Sequence, residues 1–400
     1  MVVSSPSPDD QPPGSPGPDD GRREPAMTLA GWRRFVDTPP ASFGLLPDSQ
    51  WAALSGQDRQ AYDEARLSYH SEMIIVATTA VREVARQGRL LTLLNRREIS
   101  ARRGLIVSGQ QTTGKTTALK QPGRTHELMV RERYPSRQGD RIPVVYVTTP
   151  PKGSPRKLAM EFARFPGLPP VRRGYNTTDI ADAVCQVMLA AQVDLVLVDE
   201  LHNLNLATAA GEDMSDHLKY FTEHLPAAFA YAGIDLERRL FTGVRGKQIA
   251  GRCVLVSTGA YPCDAEWKGL AATLETALRL HRHEPGSLTR SARYLHRRTG
   301  GMIGSLSHLV RAAAQLAILE GEEAHHPQAA GHRPRRPRRR VGPERRRVNV
   351  PLRLPFPASA PAAPARPAVP RRDHRLIHLP ARRRQRAASL RPPGAPGRPA

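Results

Sequence analysis

The clearest pattern in the chain is a set of five short apolar runs, each rich in β-branched residues and bounded by turn residues. The runs occupy 104–108, 143–149, 194–198, 227–232 and 253–258. Helical patterns lie between them, the plainest over 179–191 with an N-cap at Thr177 or Thr178. Buried strands that alternate with helices predict a parallel sheet covered on both faces, which is an α/β three-layer sandwich.

Helical periodicity also flanks these runs. The spacing of apolar residues predicts one long helix over 57–87, after a turn-rich stretch at 31–54. Beyond the fifth run, helical patterns follow at 271–280, 288–296 and 302–319, and the last has a regular 3.6-residue period. We therefore expect an N-terminal helical segment over 27–95, a sheet domain over 96–262 and a helical C-terminal domain over 263–322.

The first run leads directly into a loop that matches G-x-x-x-x-G-K-[ST] in the expected context, between a strand and a helix. Its residues are Gly109, Gln110, Gln111, Thr112, Thr113, Gly114, Lys115, Thr116 and Thr117. The two glycines let the backbone curve round an anion, and successive N–H groups then face the β- and γ-phosphates of ATP. Lys115 would neutralise phosphate charge, and the Thr116 hydroxyl would bind Mg²⁺.

One local feature conflicts with a regular helix after this loop. Pro122-Gly123 falls about two turns into it. A proline inside a helix costs about 3 kcal/mol. We therefore expect the helix to kink or to end near Gln121, with a second segment over 124–133.

The third run places two acids, Asp199 and Glu200, at its carboxyl end, where open α/β sheets bind ligands. Asp199 would hold Mg²⁺, mainly through water, and Glu200 would orient and activate the attacking water. The string Asp-Glu-Leu-His at 199–202 would also suit a helicase. Only roughly 120 residues separate Asp199 from the end of the periodic pattern, too few for the second nucleotide-fold domain of a helicase.

Three segments together resemble the TniB group of AAA+ ATPases, which is related to the transposition ATPases TnsC and MuB. They are the strand and loop at 104–117, the Asp-Glu-Leu-His-Asn-Leu string at 199–204, and Tyr-Leu-His-Arg-Arg-Thr-Gly-Gly-Met-Ile-Gly-Ser-Leu at 294–306. The resemblance covers about 28–320. It implies a P-loop NTPase (AAA+) sheet of order 5-1-4-3-2 with a helical lid. It also implies a homo-oligomer on double-stranded DNA that presents target DNA to a transposase.

The resemblance carries over unevenly to single residues. The resemblance implies that an arginine just before the fifth strand reaches the γ-phosphate bound by the neighbouring subunit. Arg252 occupies this position, although an ordinary structural role for it is equally open. Arg245 is a weaker candidate. The fourth strand ends without a clear polar sensor, which leaves Asp235 as a weak one. The last predicted helix has no arginine near its start. Arg311 lies about two and a half turns into that helix, so we do not predict that it contacts the nucleotide.

The formal charge of +23 points to a nucleic-acid partner until its distribution is considered. Residues 325–400 hold 20 arginines, two acids and 16 of the 38 prolines, so the first 324 residues carry only +5. We expect the tail at 323–400 and the leader at 1–26 to be disordered. The tail is either a basic arm for nucleic acid or an out-of-frame translation of a GC-rich gene.

Any DNA-binding surface of the folded part must then be a local patch. Its candidates are the basic residues in or near loops, each of which also suits an ordinary solvated face: Arg102, Arg103, Lys152, Arg156, Lys157, Arg172 and Arg173.

Several classes of protein are excluded by composition. The three cysteines lack CxxC spacing, which excludes a disulfide framework, and the apolar runs are shorter than the roughly 20 residues of a membrane span. No signal peptide opens the chain, so we expect a cytoplasmic protein. The sequence predicts an ATP-hydrolysing, Mg²⁺-dependent regulator of DNA transposition. The alternatives are an AAA+ switch or loader that acts on a protein partner without a transposase, and a degenerate remnant without function.

Overall fold

The structure, a computed structural model, describes residues 24–72, 75–137, 139–151, 153–169, 175–203, 209–240 and 250–323. The predictions for the leader before residue 24 and for the tail after residue 323 lie outside these ranges. So do those for Lys152, Arg172, Arg173 and Arg245.

In the described part of the chain, four α-helices precede the sheet: α1 (Leu29–Asp37), α2 (Asp48–Ala53), α3 (Gly56–Ser71) and α4 (Thr79–Leu94). The single helix predicted over 57–87 is wrong, because α3 ends at Ser71 and α4 begins after an N-cap at Thr78. The Thr78 hydroxyl accepts a hydrogen bond from the Val81 N–H at 3.2 Å. The break lets α4 pack against the sheet domain while α3 packs against the C-terminal helices.

The five predicted runs form five strands of one parallel sheet. They are β1 (Gly104–Gly109), β2 (Val144–Thr148), β3 (Leu195–Asp199), β4 (Ala228–Gly233) and β5 (Cys253–Thr258). Their order in the sheet is β2-β3-β4-β1-β5, which is the predicted 5-1-4-3-2 arrangement. Every residue of β3 and β4 is buried, because helices cover both faces of the sheet.

The helices that alternate with the strands are α5 (Lys115–Arg133), α6 (Pro155–Arg164), α7 (Thr177–Ala190), α8 (Ala209–His224) and α9 (Leu236–Leu240). The N-cap of α7 is Asn176 and not one of the predicted threonines. Its side chain accepts from the Asp179 N–H at 2.8 Å, and the Asp179 carboxylate accepts from the Asn176 N–H at 2.9 Å. This reciprocal capping satisfies two free N–H groups at once.

Of the two outcomes expected at Pro122, a kink or an end near Gln121, the second is wrong, because α5 runs from Lys115 to Arg133 with Pro122 inside it and includes the segment predicted over 124–133. Pro122 is buried and packs against Gly88 of α4. A Cβ on Gly123 would lie 2.6 Å from the Leu197 side chain and 3.0 Å from the Trp32 ring. The Pro-Gly pair thus brings α5 close to its neighbours, and their packing offsets the local cost of the proline.

Beyond β5 the chain forms the C-terminal helices α10 (Ala265–Thr276), α11 (Ser287–Arg290), α12 (Ala292–Thr299) and α13 (Ile303–Leu319). Their buried side chains form a hydrophobic cluster separate from that of the sheet, with Trp267 among its fully buried members. We call these helices the lid.

A buried ion pair connects helix α3 to Glu323, which follows the last helix of the lid. The Arg66 guanidinium, fully buried, donates to both carboxylate oxygens of Glu323 at 2.6 and 2.7 Å. Such bidentate pairs fix geometry as well as charge.

Among the described residues, no single helix has the length and apolarity of a membrane span. The pair α12 and α13 meets that test when taken together, but it is bent by 113°.

Candidate nucleotide-binding site

The glycine-rich loop at 109–117 connects β1 to α5 at the carboxyl edge of the sheet. A Cβ on Gly109 would lie 2.0 Å from the carbonyl oxygen of Thr258 on the neighbouring strand, so only glycine fits there. Gly114 precedes α5 with a φ of +86°, in the left-handed region that glycine adopts without strain. The loop therefore delivers its N–H groups and the start of a 19-residue helix to one place.

Side chains of the loop hold it closed on itself and on β5. The Thr113 hydroxyl donates to the Gln110 carbonyl at 2.9 Å and contacts the Thr258 hydroxyl at 2.8 Å. The Lys115 ammonium also donates to the Gln110 carbonyl. Thr258 was not identified from the sequence, because its role depends on the pairing of β1 with β5.

The acidic strand end lies on the same edge. Asp199, almost fully buried at the end of β3, accepts a hydrogen bond from the Tyr146 hydroxyl at 3.0 Å and another from the Glu200 N–H at 2.8 Å. Burial, followed by the charge of Asp199, raises the pKa of Tyr146 far above its usual value, so the phenol stays a donor. Tyr146, missed by the sequence analysis, reaches Asp199 because β2 pairs with β3.

Glu200 has a left-handed backbone with a φ of +56°, which is uncommon for a residue with a side chain and is often found at functional sites. Its carboxylate is partly exposed and lies 3.3 Å from Nε2 of His202. The strained turn ends β3 and leaves the carboxylate of Glu200 accessible from solvent, whereas that of Asp199 is enclosed.

Electrostatics connect the two motifs. Burial lowers the pKa of Lys115, while the nearby carboxylates of Glu200, Asp199 and Asp235 act in the opposite direction. Lys120, one turn further along α5, has its pKa lowered by burial and is likewise influenced by Asp199. The two motifs, separated by more than 80 residues in sequence, therefore share one site.

The donor set at this edge suits Mg²⁺. Hydroxyl and carboxylate oxygens are the hard ligands that Mg²⁺ prefers, and it commonly takes one or two protein ligands, with phosphate oxygens and water supplying the rest. Thr116 in the first turn of α5 and Asp199 at the end of β3 supply those two types. Among the described residues, no cluster of three or more His, Cys, Asp or Glu side chains forms a dedicated metal site.

The lid contacts the phosphate loop directly. The Gly304 N–H in the first turn of α13 donates to the Thr112 carbonyl at 2.9 Å. A Cβ on Gly304 would lie 2.7 Å from that oxygen, and one on Gly301 would lie 2.4 Å from the Tyr261 carbonyl. Two of the three glycines of the Thr-Gly-Gly-x-Ile-Gly string thus allow close approach between backbones. The string is recognisable in the sequence, whereas its contact partners are not.

An apolar cavity adjoins the loop on the side that faces the lid. The residues around it come from the loop, from α13 and from the segment between α3 and α4; they are Ile75, Val76, Thr78, Val81, Thr113, Gly114, Thr117, Ile303, Gly304 and Ser307. The Ser307 hydroxyl is buried and has no hydrogen-bond partner among the described residues. The cavity is thus mostly apolar with an unused polar group in its wall.

Two arginines considered from the sequence lie away from this edge. Arg252 immediately precedes β5 at the amino edge of the sheet, where its carbonyl accepts from the Gly104 N–H at 3.0 Å. It therefore faces away from the loop of its own subunit. Arg311 binds the carbonyls of His70 and Ser71, so it connects α13 to α3. Asp235 follows β4 and contributes to the field at Lys115.

Residues 66–254 match the family described as Bacterial TniB protein. The resemblance inferred from the motifs is confirmed for this region. No curated protein matches the chain.

Solved structures of similar fold include the ORC1 protein of Aeropyrum pernix in complex with DNA. It has 17% identity and a TM-score of 0.50, and the match covers 66% of each chain. The ADP form of the ORC2 protein of Aeropyrum pernix has 20% identity and a TM-score of 0.50, over 65% of this chain and 70% of that one. At these identities the likeness shows the fold, the AAA+ P-loop ATPase architecture predicted from the sequence.

Proposed function

We propose that this protein binds and hydrolyses ATP, assembles on double-stranded DNA while ATP is bound, and presents that DNA to a transposase. The observation that carries the proposal is that Lys115, Asp199 and Glu200 lie at the same edge of the sheet, where both acids act on the pKa of Lys115. The match of residues 66–254 to the TniB family directs this ATPase chemistry towards transposition. The ORC1 protein, whose structure was solved in complex with DNA, has a similar fold and binds DNA, which supports the DNA part of the proposal.

Each group at the site has a distinct part in hydrolysis. The loop N–H groups and the Lys115 ammonium bind the β- and γ-phosphates and stabilise the charge that develops during transfer. Glu200 accepts a hydrogen bond from the attacking water and orients it in line with the γ-phosphorus. Mg²⁺, held by Thr116 and through water by Asp199, would supply charge neutralisation at the phosphates. The Tyr146 hydroxyl holds the Asp199 carboxylate in place.

The adenine base would enter the apolar cavity beside Thr117. Its walls come from the loop, the lid and the segment between α3 and α4, so a bound base would contact all three. The unpaired Ser307 hydroxyl can hydrogen-bond to the edge of the base. In this arrangement a bound nucleotide stabilises the closed position of the lid.

The test separates ATP chemistry from DNA binding. We expect the wild-type chain to retain duplex DNA on a filter with ATP but not with ADP. Lys115→Ala should lose both hydrolysis and retention. Glu200→Gln should slow hydrolysis by about a hundredfold or more, the usual contribution of a positioned base, and should retain DNA for longer. Glu223→Gln, at an exposed position of α8, is the matched control.

The outcome also decides between the two functions that the sequence leaves open. Hydrolysis that disappears in Glu200→Gln, without ATP-dependent retention of DNA, would favour a switch acting on a protein partner and would contradict the DNA part of the proposal. If the wild-type chain did not hydrolyse ATP either with or without DNA, the whole proposed function would be contradicted.

A further inference from the structure

A second cavity, of about 440 Å³, opens at the amino edge of the sheet, opposite the nucleotide site. Its walls include the end of α4, the end of α5 and the residues that precede β2, β3 and β4. The volume falls within the range of about 300 to 1,000 Å³ that is typical of ligand-binding pockets. Nothing in the proposed ATPase mechanism uses this cavity.

Arginine dominates the rim of this cavity. Five arginines line it, with Asp194 as the one carboxylate among the described lining residues: Arg89, Arg96, Arg133, Arg137 and Arg141. We call this cavity the arginine groove. Asp194 is already paired with Arg141 at 2.8 Å and with His126 at 3.2 Å. A negative ligand would therefore meet an uncompensated positive field.

The positive charge extends beyond the groove along the same edge. An adjoining cavity is lined by Arg102, Arg103, Lys219 and Arg252, with no carboxylate among its described lining residues. The Asn95 side chain joins the two, since it lines the arginine groove and hydrogen-bonds to the backbone of Arg103 at 2.7 and 3.0 Å. Nine cationic side chains and one carboxylate thus line the described walls of the two cavities, and of these cations Lys219 is paired with Glu223 outside them, on a body whose net charge is only +5.

Most of these arginines are not engaged by acids of the chain itself. Arg89 donates to the Met129 sulfur at 2.8 Å, and Arg137 donates to the Gln192 side chain at 3.2 Å. Arg141 is the only one of the five groove arginines that has a carboxylate within ion-pair distance among the described residues. An arginine that makes only such a contact with a neutral group can still donate two hydrogen bonds to the carboxylate of a ligand.

The groove also has an aliphatic surface. Leu93 and Leu189 line it with 53% and 45% of their surface exposed, far more than core leucines show. Leu90, Leu94 and Ile99, from the same stretch of chain as Leu93, are exposed as well. Exposed aliphatic groups ringed by arginines are typical of a surface that binds a protein segment.

The aromatic content argues against a nucleic-acid ligand. Single strands bind through basic grooves with aromatic rings on which the bases stack. Tyr134 is the one Phe, Tyr or Trp among the described lining residues. Its ring is already packed by the guanidinium groups of Arg133 and Arg141, at 5.5 and 5.0 Å from the centroid. This single ring, 37% exposed and already in contact with two guanidinium groups, offers little surface for base stacking, whereas the exposed leucines would gain nothing from phosphates.

We propose that the arginine groove binds an acidic, leucine-containing peptide segment of a protein partner. Its carboxylates would pair with Arg133 and Arg137 at the rim, and its aliphatic side chains would pack on Leu93 and Leu189. Recognition of acidic motifs by clustered arginines is a general mode of peptide binding. The groove lies at the edge opposite the ATP site, so a partner can bind there without covering it.

The test uses a fluorescein-labelled peptide that repeats Glu-Glu-Leu, with a Gln-Gln-Leu peptide and a single-stranded DNA of similar length as comparisons. We expect fluorescence anisotropy to show binding of the acidic peptide by the full chain. Arg133→Glu/Arg137→Glu should weaken it by about tenfold or more, because two charge-assisted hydrogen bonds are replaced by repulsion. The double variant Arg164→Glu/Arg290→Glu, at exposed sites elsewhere, carries the same charge change and should bind normally.

Unaltered ATP binding and an unaltered melting temperature establish that Arg133→Glu/Arg137→Glu is folded. If it does not fold, a photo-crosslinking version of the peptide is applied to the wild-type chain, and crosslinks at 89–96, 129–141 or 189–194 are expected. Crosslinks elsewhere, equal binding by both double variants, or no binding of the acidic peptide would overturn the proposal. Tighter binding of the single-stranded DNA than of the peptide, lost in Arg133→Glu/Arg137→Glu, would assign the groove to nucleic acid instead.

Discussion

Single backbone atoms decide how the lid meets the phosphate loop. The Gly304 N–H binds the Thr112 carbonyl, and Thr112 has a left-handed φ of +60°. The carbonyl of a residue in the glycine-rich loop is thus also a contact with the lid. Because the approach is between backbones, a methyl group on Gly304 cannot be accommodated by rotating a side chain. The position of the lid and the shape of the loop are therefore coupled through one hydrogen bond.

We expect Gly304→Ala to weaken ATP binding by about fivefold or more, since overpacking at such a contact costs about 1 to 3 kcal/mol. Isothermal titration with ATP and a thermal melt measure the two effects. Gly269→Ala is the matched control, because a Cβ on that residue of α10 meets nothing within 4 Å. It should leave ATP affinity unchanged and add up to about 1 kcal/mol of stability. Similar behaviour of the two variants would show that the Gly304 contact is not critical.

At the scale of elements, helix α3 belongs with the lid although it precedes the sheet in sequence. The Arg66–Glu323 pair fastens it at one point, and Arg311 of α13 binds the carbonyl of His70 at another. His70 is buried, and its Nε2 accepts from the Arg279 N–H at 3.3 Å. Burial, with the neighbouring arginines adding to it, lowers the pKa of His70 from 6.5 to about 4. The joint between α3 and the lid therefore requires a neutral imidazole.

This joint should make the chain sensitive to acid. The pKa of His70 is lower in the folded than in the unfolded chain, so the unfolded chain takes up the proton first. Stability is then lost as the pH falls from about 6.5 to about 4, by on the order of 3 kcal/mol. Urea unfolding across this range measures the slope, which should be smaller in His70→Gln and unaltered in His224→Gln, at an exposed site. An unchanged slope in His70→Gln would assign the acid sensitivity to other groups.

At the scale of the whole molecule, the sheet separates two surfaces with different chemistry. The carboxyl edge holds the proposed nucleotide site, and the amino edge holds the arginine groove together with Arg252. The five-residue strand β3 separates these edges by roughly 17 Å. Arg252 can therefore assist hydrolysis only at the site of another subunit, as the resemblance to AAA+ proteins implies.

Mixing two impaired variants tests this role. We expect Arg252→Ala to hydrolyse ATP slowly, because a finger-type arginine stabilises transition-state charge, and Glu200→Gln to hydrolyse it slowly while still assembling with ATP bound. A mixture should regain part of the wild-type rate, since intact sites form where a subunit that keeps Arg252 meets one that keeps Glu200. Arg290→Ala, at an exposed position, is the control. Full activity of Arg252→Ala alone, or no recovery on mixing, would restrict Arg252 to a structural role.

The sequence by itself determined the elements whose signals are local. The five strands follow from runs of buried β-branched residues, and the phosphate loop follows from fixed spacing of glycine, lysine and threonine. The acidic pair at 199–200 could be placed at the carboxyl edge because every strand was expected to be parallel. These features depend on neighbours along the chain, so no tertiary contact was needed to find them.

Only the tertiary structure decided the features that join distant segments. The continuity of α5 through Pro122 depends on packing against Gly88 of another helix, and the break after Ser71 depends on α3 packing with the lid. Tyr146 meets Asp199 because β2 lies beside β3, and the arginine groove forms because separate elements end at one edge of the sheet. Each is a contact between residues far apart in sequence, and the periodicity of a single segment does not contain that information.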